Sequence, residues 1–375
     1  MKVYITPCGI GLGHTGRMLS VAEQLKKKGV EIFFSTYGSA YNFVKKKGYK
    51  VFGAPDIMWN ETDGVVDVGK TVANAPVTAK KILDHYLLEC KRIKKLKPDV
   101  VLSDSRYTPL LAASKHKIPV IYVANQLKFV FPEMIFKKEI ENVASKANYR
   151  FLKNADEIIA PDLPPPYTLA KENLDVPLNI HFSGFIIGTR PEFLASQKEL
   201  KEKLGINNLL IYASISGPGK SKEKLIDALT KAAPDLNATV VIVRGIPGSA
   251  NEKRNGNIIT MNWVDKRDEM LKASDIAISR CGHIITTENI TYGKPGIYIP
   301  QPNQTEQYVN ARGTQRLGIG KILWENEISA ESLKKAVLEI IDDKDIKTNL
   351  RKFQDISKRY VGEEYVAERV MRIAE

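Results

Sequence analysis

Short apolar runs alternate along this chain with longer stretches in which apolar residues return every third or fourth position. The first half carries KVYIT (2–6), EIFFST (31–36), YKVFG (49–53), DVVLS (99–103), IPVIYVA (118–124) and EIIA (157–160). The second half carries LLIYAS (209–214), ATVVIV (238–243), DIAISR (275–280) and KPGIYIP (294–300). Between the latter lie the helical stretches KSKEKLIDALTKAA, RDEMLKA, IITTENITYG and the 304–317 segment. Apolar strands alternating with helices predict an α/β protein with parallel sheets covered on both faces. HFSGFIIGTRPEFL (181–194), rich in glycine and with Pro191 ahead of a new charged helix, places a linker near 184–192. The expectation is two Rossmann-like doubly wound domains, 1–186 and 187–375, with a cleft between them and the final helix packing back on the first.

Composition narrows the class. The 375 residues are 43% hydrophobic, enough for two packed cores. No apolar run approaches the roughly 20 residues of a membrane span, and the amino terminus leads straight into a strand, so a cytoplasmic protein is expected. Cys8, Cys90 and Cys281 are far apart without metal-ligand spacing, as a reducing compartment predicts. The net charge of +13, with lysines at 26–28, 45–47 and in KRIKKLK (91–97), points to an anionic partner: nucleic acid, a membrane surface or a phosphorylated substrate. Solvated helix faces explain those lysines equally well.

PCGIGLGHTGRML (7–19) follows the first strand, and Gly11, Gly13 and Gly16 have the G-x-G-x-x-G spacing of a dinucleotide site. That fingerprint wants an acidic residue at the end of the second strand, where Ser35 and Thr36 stand instead. His14 and Arg17, which a dinucleotide loop does not need, make the turn a platform for a histidine. His14 is then a candidate general base, its alternative being a packing or capping role.

In the second half, ASISGPGKSKEKL (213–225) nearly completes a P-loop, but Ser214 stands at its first glycine and no later strand ends in a magnesium-binding Asp. Ser214, Ser216, Gly217 and Gly219 read better as a diphosphate cradle of another kind, or as a plain strand-to-helix turn. SRCGHIITTENITYGKPGIYIPQPNQTEQYVNA (279–311) is the most informative stretch. Gly282 opens a helix whose N–H groups suit an anion, and Glu288 is placed to accept from a ribose diol. Gln304, Thr305, Glu306 and Gln307 then offer the mixed donors and acceptors that sugar hydroxyls require.

These motifs resemble those of GT-B glycosyltransferases of family 28, the MurG-like transferases, and especially their archaeal members. The likeness covers GxGHxxR at 11–17, PDVVLSD at 98–104, the loop at 214–219 and the long 279–311 motif. It implies an N-terminal acceptor domain and a C-terminal nucleotide-sugar domain, with inverting hexosyl transfer, N-acetylglucosamine or similar, from a UDP-sugar. Glu288 matches the ribose-binding glutamate, Glu306 and Gln307 the sugar-reading pair, and Asn262, Trp263 and Val264 the segment edging the uracil. Gly11, Gly13, Ser214, Ser216, Gly217, Arg280, Gly282, His283 and Gln304 complete the implied donor site. Cys281, His283 and Glu306 depart from the residues usual in that family. Asp104, ending VVLSD, is placed to orient His14, as in related plant transferases.

The expectation includes no cofactor and no metal, the UDP-sugar being a substrate. Asp343-Lys344-Asp345 has the form of a D-x-D metal motif but reads as a charged turn. GTRPE (188–192) matches a motif of UDP-N-acetylglucosamine 2-epimerases, which keeps an isomerase of the same fold as the alternative. No nucleic acid partner is expected, and the assembly is expected to be a monomer or dimer. FVFPEMIFKKEIENVASKANYRF (129–151) sets bulky apolar residues beside Lys137 and Lys138. It reads as a peripheral contact with an anionic membrane surface, fitting a lipid-linked acceptor, or as a buried helix start.

Overall fold

The computed structural model describes residues 1–56, 61–62, 65–66, 75–133, 136–215, 219–246 and 251–375. The chain divides into two compact units, one formed by Met1–Asn60, Asp67–Gly188 and Tyr360–Glu375, the other by Glu61–Val66 and Thr189–Arg359.

The first unit is built on β1 (Lys2–Pro7), β2 (Glu31–Thr36), β3 (Lys50–Gly53), β6 (Val100–Asp104), β7 (Val120–Val123), β8 (Glu157–Ala160) and β9 (His181–Phe182). The intervening β4 (Glu61–Thr62) and β5 (Val65–Val66) pair antiparallel in a separate two-stranded sheet. The large sheet has the order β3-β2-β1-β6-β7-β8-β9, and its pairs are parallel. Successive residues of β1 serve opposite cores: Val3 and Ile5 pack with Met18, Leu25, Val366 and Val370, while Tyr4 packs with Ile93, Val101 and Leu110. Burial on both faces is why these strands read as unbroken apolar runs. The helix Gly362–Ile373 supplies Val366 and Val370, and Arg369 clamps Glu157 of β8 through Nε at 2.8 Å and Nη2 at 2.5 Å.

The second unit repeats the scheme with β10 (Leu209–Ser214), β11 (Ala238–Val243), β12 (Glu252–Asn255), β13 (Ile258–Met261), β14 (Ile276–Ser279), β15 (Gly296–Tyr298) and β16 (Gly320–Ile322), in the order β12-β13-β11-β10-β14-β15-β16. Only the edge pair β12–β13 runs antiparallel in this sheet among the described residues.

Strand order reverses between β1 and β6 in one sheet and between β10 and β14 in the other. At such a switch point the loops leaving two neighbouring parallel strands diverge, opening a crevice at their carboxyl ends where ligands bind.

Candidate functional site

In the first unit the β1–β6 register sets Pro7 beside Asp104, and Cys8 N donates to Asp104 O at 2.9 Å. The chain then turns through Gly11, at φ +70°, into the helix Gly13–Lys27. His14 and Arg17, three apart on that helix, share a face. His14 Nδ1 lies 2.9 Å from Asp104 Oδ1. Arg17 donates Nε to Asp104 Oδ2 at 2.6 Å, Nη2 to Oδ1 at 2.5 Å and Nη1 to Asn125 Oδ1 at 3.1 Å. Burial alone would raise the pKa of Asp104, but Arg17 and then His14 outweigh it and lower the carboxyl to about 2.

Arg17 Nη2 also comes within 3.1 Å of His14 Nδ1. A nitrogen facing an ionised carboxylate at 2.9 Å carries its proton there, so Nδ1–H donates to Asp104 and Nε2 is left as the basic nitrogen. The imidazole is 20% exposed beside a wholly buried carboxylate.

A Cβ at Gly16 would meet nothing within 4 Å of protein, and Gly11 is marked instead by its positive φ. The crowded glycine is Gly9, outside the pattern, where a Cβ would stand 2.4 Å from Tyr37 O.

In the second unit Ser214 ends β10 in register with Ser279, and Arg280 follows at the switch point. Buried Arg280 donates Nη1 to Glu325 Oε2 at 2.5 Å, and its Nη2 bonds Ser221 Oγ, which donates to Glu325 Oε1 at 2.6 Å. The hydroxyl that a P-loop would turn to magnesium is thus committed to a carboxylate. Ser216 and Gly217 lie outside the described residues.

Gly282 caps the helix His283–Thr291 in extended conformation without a side-chain bond. The expected free N–H groups there meet one difference: His283 N donates to Glu306 Oε1 at 3.1 Å, since a carboxylate within reach is drawn to a helix's positive end. Gln304 Oε1 caps its own helix, accepting from Glu306 N at 2.8 Å and Gln307 N at 3.2 Å, and Gln307 Oε1 accepts from Gln301 N at 2.9 Å. Asn262, Trp263 and Val264 are half-buried after β13, with Trp263 Nε1 donating to Asp265 at 3.1 Å. Glu288 is buried and receives both terminal nitrogens of Arg267, Nη1 at 2.9 Å. Asp343 of the D-x-D caps the following helix, accepting from Ile346 N at 2.9 Å.

Arg17, Asn125, Arg267 and Glu325 join these clusters without a role expected from sequence. Only Arg17 carried a local signal, its spacing from His14. The others meet partners 21 to 108 residues away, which a linear reading does not pair.

Two doubly wound parallel sheets, each with polar side chains gathered at its switch point, define the GT-B class of glycosyltransferase fold. The chain belongs to the glycosyltransferases described as glycosyl transferase family 1, whose profile matches residues 1–340. It is 29% identical over 374 residues to an uncharacterized glycosyltransferase of Methanosarcina acetivorans, covering 96% of this chain and 92% of that protein. It is 26% identical over 359 residues to a UDP-N-acetylglucosamine–N-acetylmuramyl-(pentapeptide) pyrophosphoryl-undecaprenol N-acetylglucosamine transferase of Sulfurihydrogenibium, covering 94% and 93%. The fold matches the MurG crystal structure of Acinetobacter baumannii with a TM-score of 0.62 at 17% identity over 99% of both chains. It matches the kitacinnamycin glycosyltransferase at 0.71 and 18%, over 99% of this chain and 98% of that one. The MurG-like resemblance and the GT-B expectation hold, and the protein is a glycosyltransferase.

Proposed function

We propose that this enzyme transfers a hexose, N-acetylglucosamine or a similar sugar, from a UDP-sugar to the hydroxyl of a lipid-linked acceptor with inversion. The observation that carries this reading is the 2.9 Å contact between His14 Nδ1 and the buried, ionised Asp104, which would leave Nε2 to act as the base. The acceptor oxygen forms the new bond to the anomeric carbon as its proton passes to His14 Nε2. The bond to the diphosphate breaks on the opposite face, and UDP leaves with the electron pair. Arg280 and the start of the His283–Thr291 helix would stabilise that charge without a required metal. Glu288 would accept from the ribose, Asn262–Val264 would edge the base, and Glu306 and Gln307 would read the sugar. The Sulfurihydrogenibium relative, whose name gives UDP-N-acetylglucosamine and a pyrophosphoryl-undecaprenol acceptor, supports the donor and acceptor classes.

The test incubates the enzyme with a panel of UDP-sugars, with and without a lipid extract, and analyses products by mass spectrometry. Free UDP released only with acceptor is expected. A sugar altered without acceptor would replace transfer by epimerisation. Glu288→Ala is expected to weaken UDP by about 1–3 kcal/mol through lost hydrogen bonds, and unchanged calorimetry would remove Glu288 from the site.

A lipid-linked acceptor suits the helix Lys137–Leu152. Phe136 and Val143 are 72% and 71% exposed, and with Ile140 they fall at i, i+4 and i+7 beside Lys137 and Lys138. We read this stripe as a peripheral contact with an anionic membrane on the cytoplasmic side. No described helix is long and apolar enough to cross a membrane.

A further inference from the structure

Lys222 closes the first turn of the helix Gly219–Ala232, on the face that carries Leu225, Ile226 and Leu229 into the core. It is 9% exposed, and among the described residues it makes no hydrogen bond or ion pair. The arginines nearby are provided for. Arg244, which follows β11, donates Nη2 to Glu223 Oε1 at 2.5 Å, and Arg280, which follows β14, donates Nη1 to Glu325 Oε2 at 2.5 Å. Each holds a carboxylate of its own, and Lys222 is the cation left over.

Three things oppose a positive charge in this seat. Burial pushes the ammonium pKa down, and Arg244 lowers it further against a smaller upward pull from Glu223. The helix adds its positive end. A side chain in the first turn leans back towards the helix start, which directs the ammonium to the loop leaving β10, where the register sets Ser214 beside Val243. The preceding residue ties the same turn to β14, since Ser221 Oγ donates to Glu325 at 2.6 Å and bonds Arg280 Nη2. The turn therefore spans the switch point of the second sheet. The fold gains nothing from an unpaired charge there, because the stem would pack as well without it. An anion at the loop relieves burial, the neighbouring arginine and the helix end together.

We propose that Lys222 is a further binding residue of the donor site, an uncompensated cation that the diphosphate of the nucleotide sugar neutralises on arrival; this rests on the second unit being the nucleotide-sugar unit. As the sugar leaves, the charge gathering on the diphosphate meets an ammonium already in place. A pyrophosphoryl acceptor presents the same chemistry, so the probe is nucleotide alone, without acceptor.

Calorimetry compares UDP with uridine on the wild-type enzyme and on Lys222→Met, and melting curves are taken without nucleotide. The wild type is expected to favour UDP at least about ten-fold. Lys222→Met is expected to weaken UDP about ten- to a hundred-fold, the worth of hydrogen bonds to a charged group, with uridine kept within about two-fold. The same variant should melt at or above the wild-type temperature, because an apolar stem replaces a buried charge. Lys222→Gln, polar but uncharged, should weaken UDP alike, and it decides the matter if the Met variant does not fold. Equal loss of uridine and UDP makes Lys222 a structural residue and overturns the proposal. UDP affinity unchanged in both variants, with the wild type still favouring UDP over uridine, overturns the role of Lys222 alone. A wild type that binds uridine as tightly as UDP removes the diphosphate from the site, and the reading beneath the proposal falls with it.

Discussion

Asp104 serves two partners at once, the guanidinium of Arg17 and the imidazole of His14, and that shared duty shapes what His14 can do. Arg17 bonds both carboxylate oxygens while Oδ1 also faces His14 Nδ1, so the carboxylate is held in place and in turn fixes the orientation of the imidazole. His14→Ala is expected to lower turnover roughly 10²–10⁴-fold with UDP affinity nearly intact, and a matching loss of UDP binding would make His14 a donor ligand instead. Asp104 also links stability to pH. Its native pKa of about 2 lies below the ordinary 3.8, so its ionised form favours the fold above pH 3.8, and that contribution drains away as pH falls towards 2. The linkage is worth about 2 kcal/mol. The stability gap between wild type and Asp104→Asn in denaturant melts should therefore be constant near neutrality and narrow by that amount in acid. Asp104 was legible in sequence because it ends a recognisable strand, and His14 because it stands in the glycine-rich turn that leads from one into a helix. Arg17 was visible but given no role, since an arginine in a helix carries no sign of whether it faces solvent or a buried carboxylate.

Among the elements, the ten strands expected from apolar runs are present, most of them buried on both faces, with the edge strand β3 largely exposed. The strands the sequence hid include edge pieces: β12 is the wholly exposed EKRN, β9 is two residues long and β16 is three half-buried residues, while β13, next to the edge, is only four residues long. Their pairing comes from a neighbour's backbone, which leaves no periodic mark. The segment at 129–151 resolves into two parts. Val130 is buried and Phe129 and Phe131 half-buried, whereas Phe136 turns outward at φ 58° just before its helix; Met134 and Ile135 lie outside the described residues. Core and surface thus divide a run that looked uniform. Phe136→Ser with Val143→Ser is expected to cut binding to anionic vesicles while leaving the melting transition in place, because neither side chain supports the core. Cosedimentation with vesicles checks it, and undiminished binding would move the contact elsewhere.

At the scale of the molecule, the charge of +13 makes any lipid contact ionic in part. Vesicle binding is expected to weaken between low and about 0.15 M salt as the screening length shortens to about 8 Å, measured by the same cosedimentation. Chelator is expected to leave transfer activity standing. The chain also returns to its beginning: the residues from Tyr360 onward belong to the first unit, where Val366, Ala367 and Val370 fill the same core as Val3, Ile5 and Met18. Each such side chain buried is worth about 1–3 kcal/mol, so deleting 360–375 should cost the first unit its cooperative melt, a loss seen by calorimetry. That closure has a consequence for synthesis in the cell. The apolar face of Val3, Ile5 and Met18 is complete only once residues 360–375 have been made, so during synthesis the first unit closes after the second has emerged.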